Sequence, residues 1–375
     1  MKLNKEKQKI QDEATVEIVR NNGNGLVEIA TGGGKTKIAI DYIAENNLKA
    51  CWFTPSVIMR DIDTPAEFEK WGYKDVFDNN VEIYCYASMH KIENKSFDII
   101  ILDEVHKVTE LKSEFFFEHN NTFGSVLAFT ATKPDDEEKI EIFNKLGLKT
   151  IYKLSVDDAV ARGVIAPYIL NIVRVPLSPT LKIKAGGKGK QYLITEEKCY
   201  SNIQRAIARM MAEGKEIPKQ FFMRRANFLY NLKSKVIVTR AIIDSLKGKR
   251  IIVFSKRIAT AKDINKNVYH SKSDKNALLN FINGNSNIIS AVDSINEGVN
   301  VPNVDVIILH QINSLDREFI QKIGRGLRFR PGYVAEIYLV IAADTRDEQW
   351  AGKAIQSIGE ENIRYIDYKN YVTSV

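Results

Sequence analysis

Cysteine is scarce in this chain of 375 residues: Cys51, Cys85 and Cys199 stand far apart, with no paired spacing. That excludes a disulfide framework and a thiolate zinc site, and it fits a reducing compartment. Long apolar runs are missing too. No stretch approaches the roughly 18 residues of a membrane-spanning helix. The first twenty positions (MKLNKEKQKIQDEATVEIVR) are charged throughout, unlike a secretory leader. A cytoplasmic protein without membrane attachment is expected. What the chain does have is an ordinary globular balance, 44% hydrophobic and 27% charged, which excludes wholesale disorder. Its length suits two domains, each with its own core.

The formal charge of +7 is unevenly spread. Residues 1–165 carry a net −7, whereas residues 166–250 hold 18 Lys+Arg against 5 Asp+Glu, a net +13. Residues 251–375 carry +1. A basic stretch suits a polyanion, because each neutralised phosphate releases counterions. A well-solvated helical surface is the plainer reading of the same charges.

Short apolar runs bounded by polar turns predict strands buried on both faces, as in a parallel sheet between helices. They lie at Leu26–Ala30, Ala50–Phe53, Val81–Tyr86, Phe97–Leu102 and Ser125–Phe129. After the basic middle they return at Arg250–Phe254, Asn287–Ala291, Val304–Leu309 and Ala335–Ile341. The fold class is α/β with two doubly wound parallel-sheet lobes. The expected division is 1–165, a basic hairpin and helical connecting element over 166–225, and 226–375.

Thr31-Gly32-Gly33-Gly34-Lys35-Thr36 follows the first strand and opens a helix. A glycine loop there turns backbone N–H groups toward phosphate oxygens. Lys35 would reach the β- and γ-phosphates of a nucleotide, and the Thr36 hydroxyl would ligate Mg²⁺. Strict P-loop spacing places another glycine where this chain has Ile29. Asp103 and Glu104 end a second strand, where parallel sheets place ligands. Asp103 would hold the Mg²⁺, and Glu104 would position and deprotonate an attacking water.

With Asp103-Glu104-Val105-His106 and Thr130-Ala131-Thr132, the loop resembles the motifs of superfamily 2 helicases and translocases. Asn296 to Pro302, including Gly298, is similar to the family's EGxDxP segment, with Asn300 in place of the acid. Gln321-Lys322-Ile323-Gly324-Arg325-Gly326-Leu327-Arg328 is similar to QxxGRxxR. The resemblance implies two tandem RecA-like lobes that bind ATP and Mg²⁺. It makes Gln321, Arg325 and Arg328 catalytic, the arginines acting as fingers worth about 10³–10⁵ in rate. Gly298 joins the nucleotide site, and His106, Thr130 and Thr132 couple hydrolysis to movement. Gln11 takes the adenine-reading place, with Gln8 the competing candidate.

Further along the resemblance, Thr54 and Pro55 open a helix at the first strand-contact motif, Thr54 as its N-cap. Ser88 and Ser255 fall at other expected backbone contacts, which position a strand without reading sequence. Thr180 to Thr195 alternates apolar residues and lysines around Gly186-Gly187, a hairpin pattern that sets Lys182 and Lys184 on one face. With Lys188, Lys190 and Tyr192 it reads as a wedge or clamp on DNA; a flexible interlobe loop is the alternative. Two apolar stripes follow, the first through Ile203, Ile207, Met210 and Met211, the second from Leu229 to Leu246, both expected to pack on the second lobe. The expected activity is a monomeric DNA helicase on single-stranded, forked or branched DNA, most like phage branch-migration and fork-remodelling helicases, XPB-type helicases and type III restriction motors. A duplex-DNA translocase, an RNA helicase and an ATP-gated binding module stay open.

Overall fold

A computed structural model describes residues 5–30, 32–57, 59–131, 133, 137–185, 192–270, 273, 274, 276–292, 304–311, 333–356 and 358–374. The described residues fall into two compact units, the first running to Pro167 and taking in Tyr333, the second holding the rest.

In the first unit α1 (Lys5–Arg20) leads into β1 (Gly25–Ile29), α2 (Lys35–Glu45), β2 (Ala50–Thr54), α3 (Thr64–Lys70) and α4 (Lys74–Asn80). Then come β3 (Val81–Cys85), β4 (Ser96–Asp103), α5 (Glu110–Phe117), β5 (Thr122–Thr130), α6 (Glu137–Lys145), β6 (Thr150–Leu154) and α7 (Val156–Ala161). The strands form one parallel sheet in the order β3-β2-β4-β5-β1-β6. Every residue of β1 and β2 is buried, which is why these runs carry no polar alternation. Phe53, Ile100, Leu102 and Val126 meet Phe115 and Phe143 in one core cluster.

The second unit runs β7 (Tyr168–Val175), β8 (Lys182–Ala185), β9 (Tyr192–Thr195), α8 (Glu196–Ala212), α9 (Lys219–Tyr230), α10 (Lys233–Ser245), β10 (Ile251–Ser255) and α11 (Ile258–Ile264). It continues with β11 (Val268–His270), α12 (Asn276–Ile282), β12 (Ile288–Val292), β13 (Val306–Leu309), β14 (Ala335–Ala342), α13 (Arg346–Ala354) and β15 (Ile363–Asp367). Its sheet is again parallel, ordered β11-β12-β10-β13-β14-β7-β15.

This order corrects one boundary. The stretch 166–225 is not a separate connector, because β7 pairs along its whole length with β14 and also with β15. The hairpin β8–β9 then projects from this unit and packs Ile183, Ala185 and Ile194 on Cys199, Ile203 and Ile207 of α8. So α8 serves the hairpin more than the sheet, and Met211, expected on its apolar stripe, is 66% exposed. The second stripe is split at Asn231, and Val236, Ile243 and Leu246 of it join the sheet core. Glu196 anchors the arrangement. Its buried carboxylate accepts Ser178 N–H at 3.1 Å, and Lys233 and Ser234 N–H at 2.7 and 3.2 Å, capping α10 from a distance.

Candidate active site at the glycine loop

Strand order explains why distant residues meet. β1, β5 and β4 are neighbours, with Glu28 beside Thr130 and Asp103 beside Phe129. Their carboxyl ends therefore bring the loop after β1, Thr130 and the Asp103-Glu104 pair to one edge of the sheet, where ligands of parallel sheets sit.

Gly32 and Gly34 have φ of 95° and 97°, the left-handed region that favours glycine. Gly34 ends the loop at the N-terminus of α2. A side chain on Gly33 would run into Ile29, so the residue that breaks strict P-loop spacing is what confines that position to glycine. A side chain on Gly34 would strike the Gln11 amide, and Lys7 lies close by. Gln11 is 2% exposed, and neither its Nε2 nor its Oε1 has a partner among the described residues. Gln8, by contrast, is bonded to Asp12 at 2.8 Å, which favours Gln11 of the two. A buried amide left unpaired costs about 1–3 kcal/mol, and such a group is understandable where a ligand supplies the partner.

Lys35 Nζ lies 3.0 Å from Glu104 Oε1, across 69 residues of chain. Glu104 adopts φ 54° and ψ 56°, a strained conformation for a residue other than glycine, costing about 1–3 kcal/mol and typical of functional sites. Its other oxygen is 3.5 Å from His106 Nδ1, which is also 3.5 Å from Thr130 Oγ1. Asp103 is buried, and burial first, then the neighbouring Glu104 charge, pushes its carboxyl up to about 7 against the pull of Lys35. A divalent cation would reverse that balance. A buried amide without a partner among the described residues, a glycine cradle, a hydroxyl and a carboxylate are the groups a Mg²⁺–nucleotide would need, and Thr36 and Asp103 are the residues that could hold the ion; Mg²⁺ commonly takes only one or two carboxylates plus phosphate oxygens.

Lys139 escaped the sequence reading, and Tyr86 entered it only as a strand end beside the expected contact at Ser88. Tyr86 is 2% exposed with an orphaned hydroxyl, and its ionisation is suppressed by burial and then by Asp103 and Glu104. Lys139 donates to the His106 carbonyl. Neither follows from spacing, since each reaches the site through the fold alone.

The expected nucleic-acid contacts are scattered. Thr54 is still strand, paired with Cys85, and its buried hydroxyl bonds to Ser56 O at 3.2 Å. It is therefore not the N-cap, and Pro55 does not open a helix; Ser56 Oγ accepts Met59 N–H at 3.3 Å instead. Ser88 bonds back to Cys85 O at 2.9 Å within a short 3₁₀ turn. Ser255 ends β10 with its side chain buried, so backbone alone could meet a strand there. Lys182 and Lys184 are exposed on one hairpin face. Tyr192 pairs with Ala185 and so shares the opposite face, away from those lysines. Thr31, Thr132, Lys188, Lys190, Gly298, Gln321, Arg325 and Arg328 lie outside the described residues.

No helix among the described residues is long and apolar enough to cross a membrane. Residues 234–330 match the family described as helicase conserved C-terminal domain. The chain is 27% identical over 332 residues to the DNA 3'-5' translocase XPB2 of Sulfurisphaera tokodaii, covering 81% of this chain and 74% of that one. By structure it resembles the ATP-dependent type ISP restriction-modification enzyme LlaBIII bound to DNA, with a TM-score of 0.61 and 16% identity, over 98% of this chain but only 31% of that one. It likewise resembles Saccharomyces cerevisiae Dbp5 bound to RNA and ADP BeF₃, with a TM-score of 0.60 and 13% identity, covering 97% and 90% of the two chains. The helicase C-terminal domain at residues 234–330, the likeness to a DNA translocase in sequence and the two parallel-sheet lobes together support a superfamily 2 helicase, an ATP-dependent enzyme acting on nucleic acid.

Proposed function

We propose that the chain is a DEVH-box DNA motor that hydrolyses ATP at the glycine loop and acts on single-stranded, forked or branched DNA. The observation that carries this reading is the Lys35–Glu104 pair at 3.0 Å beside the unpaired Gln11 amide. In this reading Gln11 pairs with the adenine edge, having a donor and an acceptor to offer. Gly32–Gly34 present backbone N–H groups, and Lys35 leaves Glu104 for the phosphates. Glu104, freed of its partner, orients and deprotonates water. The Mg²⁺ supplies charge neutralisation on the phosphate oxygens. His106 and Thr130 sense the change in Glu104, while Gln321, Arg325 and Arg328 keep the roles that the resemblance gives them.

DNA is favoured over RNA by the likeness to a DNA translocase in sequence. A translocase that moves on duplex without separating strands is the second reading, favoured by that same relative's name. Phosphate release measured in parallel with single-stranded, duplex and forked DNA and with RNA tests both. Forked DNA should stimulate most, with strand displacement. Stimulation by duplex without displacement would establish the second reading, and no stimulation by any nucleic acid would remove both.

A further inference from the structure

Between β8 of the hairpin and helices α8 and α9 lies a groove of about 680 Å³, wholly within the second unit. Its apolar lining includes Ala185, Ile203 and Phe228, while Lys184, Arg224 and Asn227 bring polar groups to it. Phe228 is backed by Tyr200, stacked at 5.9 Å and 25°, so the ring is held in a fixed plane. Lys184 and Arg224 are both exposed. Asn227 Oδ1 accepts from Arg257, which leaves its NH₂ group as the donor available to a ligand.

An apolar slot with a braced aromatic wall and two cations beside it matches a flat heterocycle carrying an anionic tether. The surrounding segment, 166–250, holds a net +13, so the complementary partner is a polyanion longer than the slot itself. That combination favours a nucleic-acid strand, in which every unit carries both a flat base and a phosphate.

We propose that this groove seats one base of a bound single strand, stacked on Phe228, with its flanking phosphates on Lys184 and Arg224. The inference rests on the nucleic-acid reading above and adds a base-binding site to it. It also moves the emphasis within the hairpin, from the tip toward the sheltered face that Ala185 occupies.

Binding of labelled DNA and RNA single strands to the full chain, each compared with an abasic strand of equal length, tests it. Wild type should prefer the base-bearing strand by about 5- to 150-fold, the range for one stacked base. Ala185→Trp, which fills the groove, should bring that preference close to one while abasic binding stays unchanged. A smaller probe, Arg224→Gln, should weaken both strands alike and lower the log–log salt slope by about 0.7 per lost contact. An equal preference in wild type and Ala185→Trp, with melting unchanged, would overturn the groove. So would a wild type that binds base-bearing and abasic strands equally well. A wild type that binds no strand at all would instead sink the nucleic-acid reading on which the proposal rests.

Discussion

Two of the protein's lysine–carboxylate pairs share their chemistry and differ in their surroundings. Lys35 and Glu104 meet at 3.0 Å with 11% and 19% of their side chains exposed. Lys235 and Asp347 meet at 2.6 Å with 1% exposed on each side. The first pair joins a strained residue to a glycine loop, and in the proposed function a triphosphate would replace one partner. The second is closed: Asp347 Oδ2 also accepts Ala342 N–H at 2.9 Å, and Thr345 Oγ1 caps α13 by accepting Asp347 N–H at 3.1 Å. A buried pair with nowhere to go stabilises only as long as both members stay. A pair with a competing ligand can do chemistry.

Breaking each pair should therefore fail differently. Glu104→Gln should lower turnover by about 10²–10⁴-fold with nucleotide affinity retained, read by phosphate release and by binding of a fluorescent ATP analogue. Turnover equal to wild type would contradict the base assignment. Lys235→Ala should leave Asp347 charged and unpaired, costing the second unit about 3–5 kcal/mol. Its urea midpoint should fall accordingly. The double change Lys235→Met with Asp347→Leu should recover most of the loss, because an apolar pair of similar volume needs no counterion. If the single change alone is tolerated, the closed pair is not what holds this end of the sheet.

The contrast also marks what the sequence could and could not disclose. Both sheets were legible where strands are buried on both faces, as in β1, β2, β4 and β10, because short, mostly apolar runs bounded by polar turns are what such strands produce. β6 and β15 were missed, being sheet edges whose residues are mostly exposed or half-exposed, without a clear period. β7 was hidden in another way. Its apolar run lies before the basic hairpin in the chain, so counting charge assigned it to a connector, whereas the fold inserts it between β14 and β15. In the site, Lys35, Asp103, Glu104 and His106 were readable because each motif is local. Lys139 comes from a segment with no motif, Tyr86 stands two residues before the expected contact at Ser88 with no role of its own there, and Lys235–Asp347 spans 112 residues, a pairing that only the folded chain defines.

The smallest effect expected is in pH dependence, and it belongs to the closed pair's neighbour. His310 is 1% exposed, and its Nδ1 lies 2.7 Å from Thr239 Oγ1. Burial, and then the Lys235 charge, hold its ring well below the usual 6.5. In the folded unit it stays neutral while the unfolded chain takes up a proton, so stability falls as pH drops below about 6.5, by up to about 1.4 kcal/mol per unit. Above about 7.5 neither state binds that proton and the dependence ends. Hydrogen exchange of β13 at pH 7.5 and 5.5 reads the loss locally, which avoids treating two units as one transition. His310→Gln should remove the difference between the two pH values, because the amide has no proton to gain. In the Lys235→Met, Asp347→Leu double variant the dependence should shrink without vanishing, since the repelling ammonium is gone and burial remains. A slope unchanged in His310→Gln would place the titrating group elsewhere and leave the closed pair without this electrostatic reach.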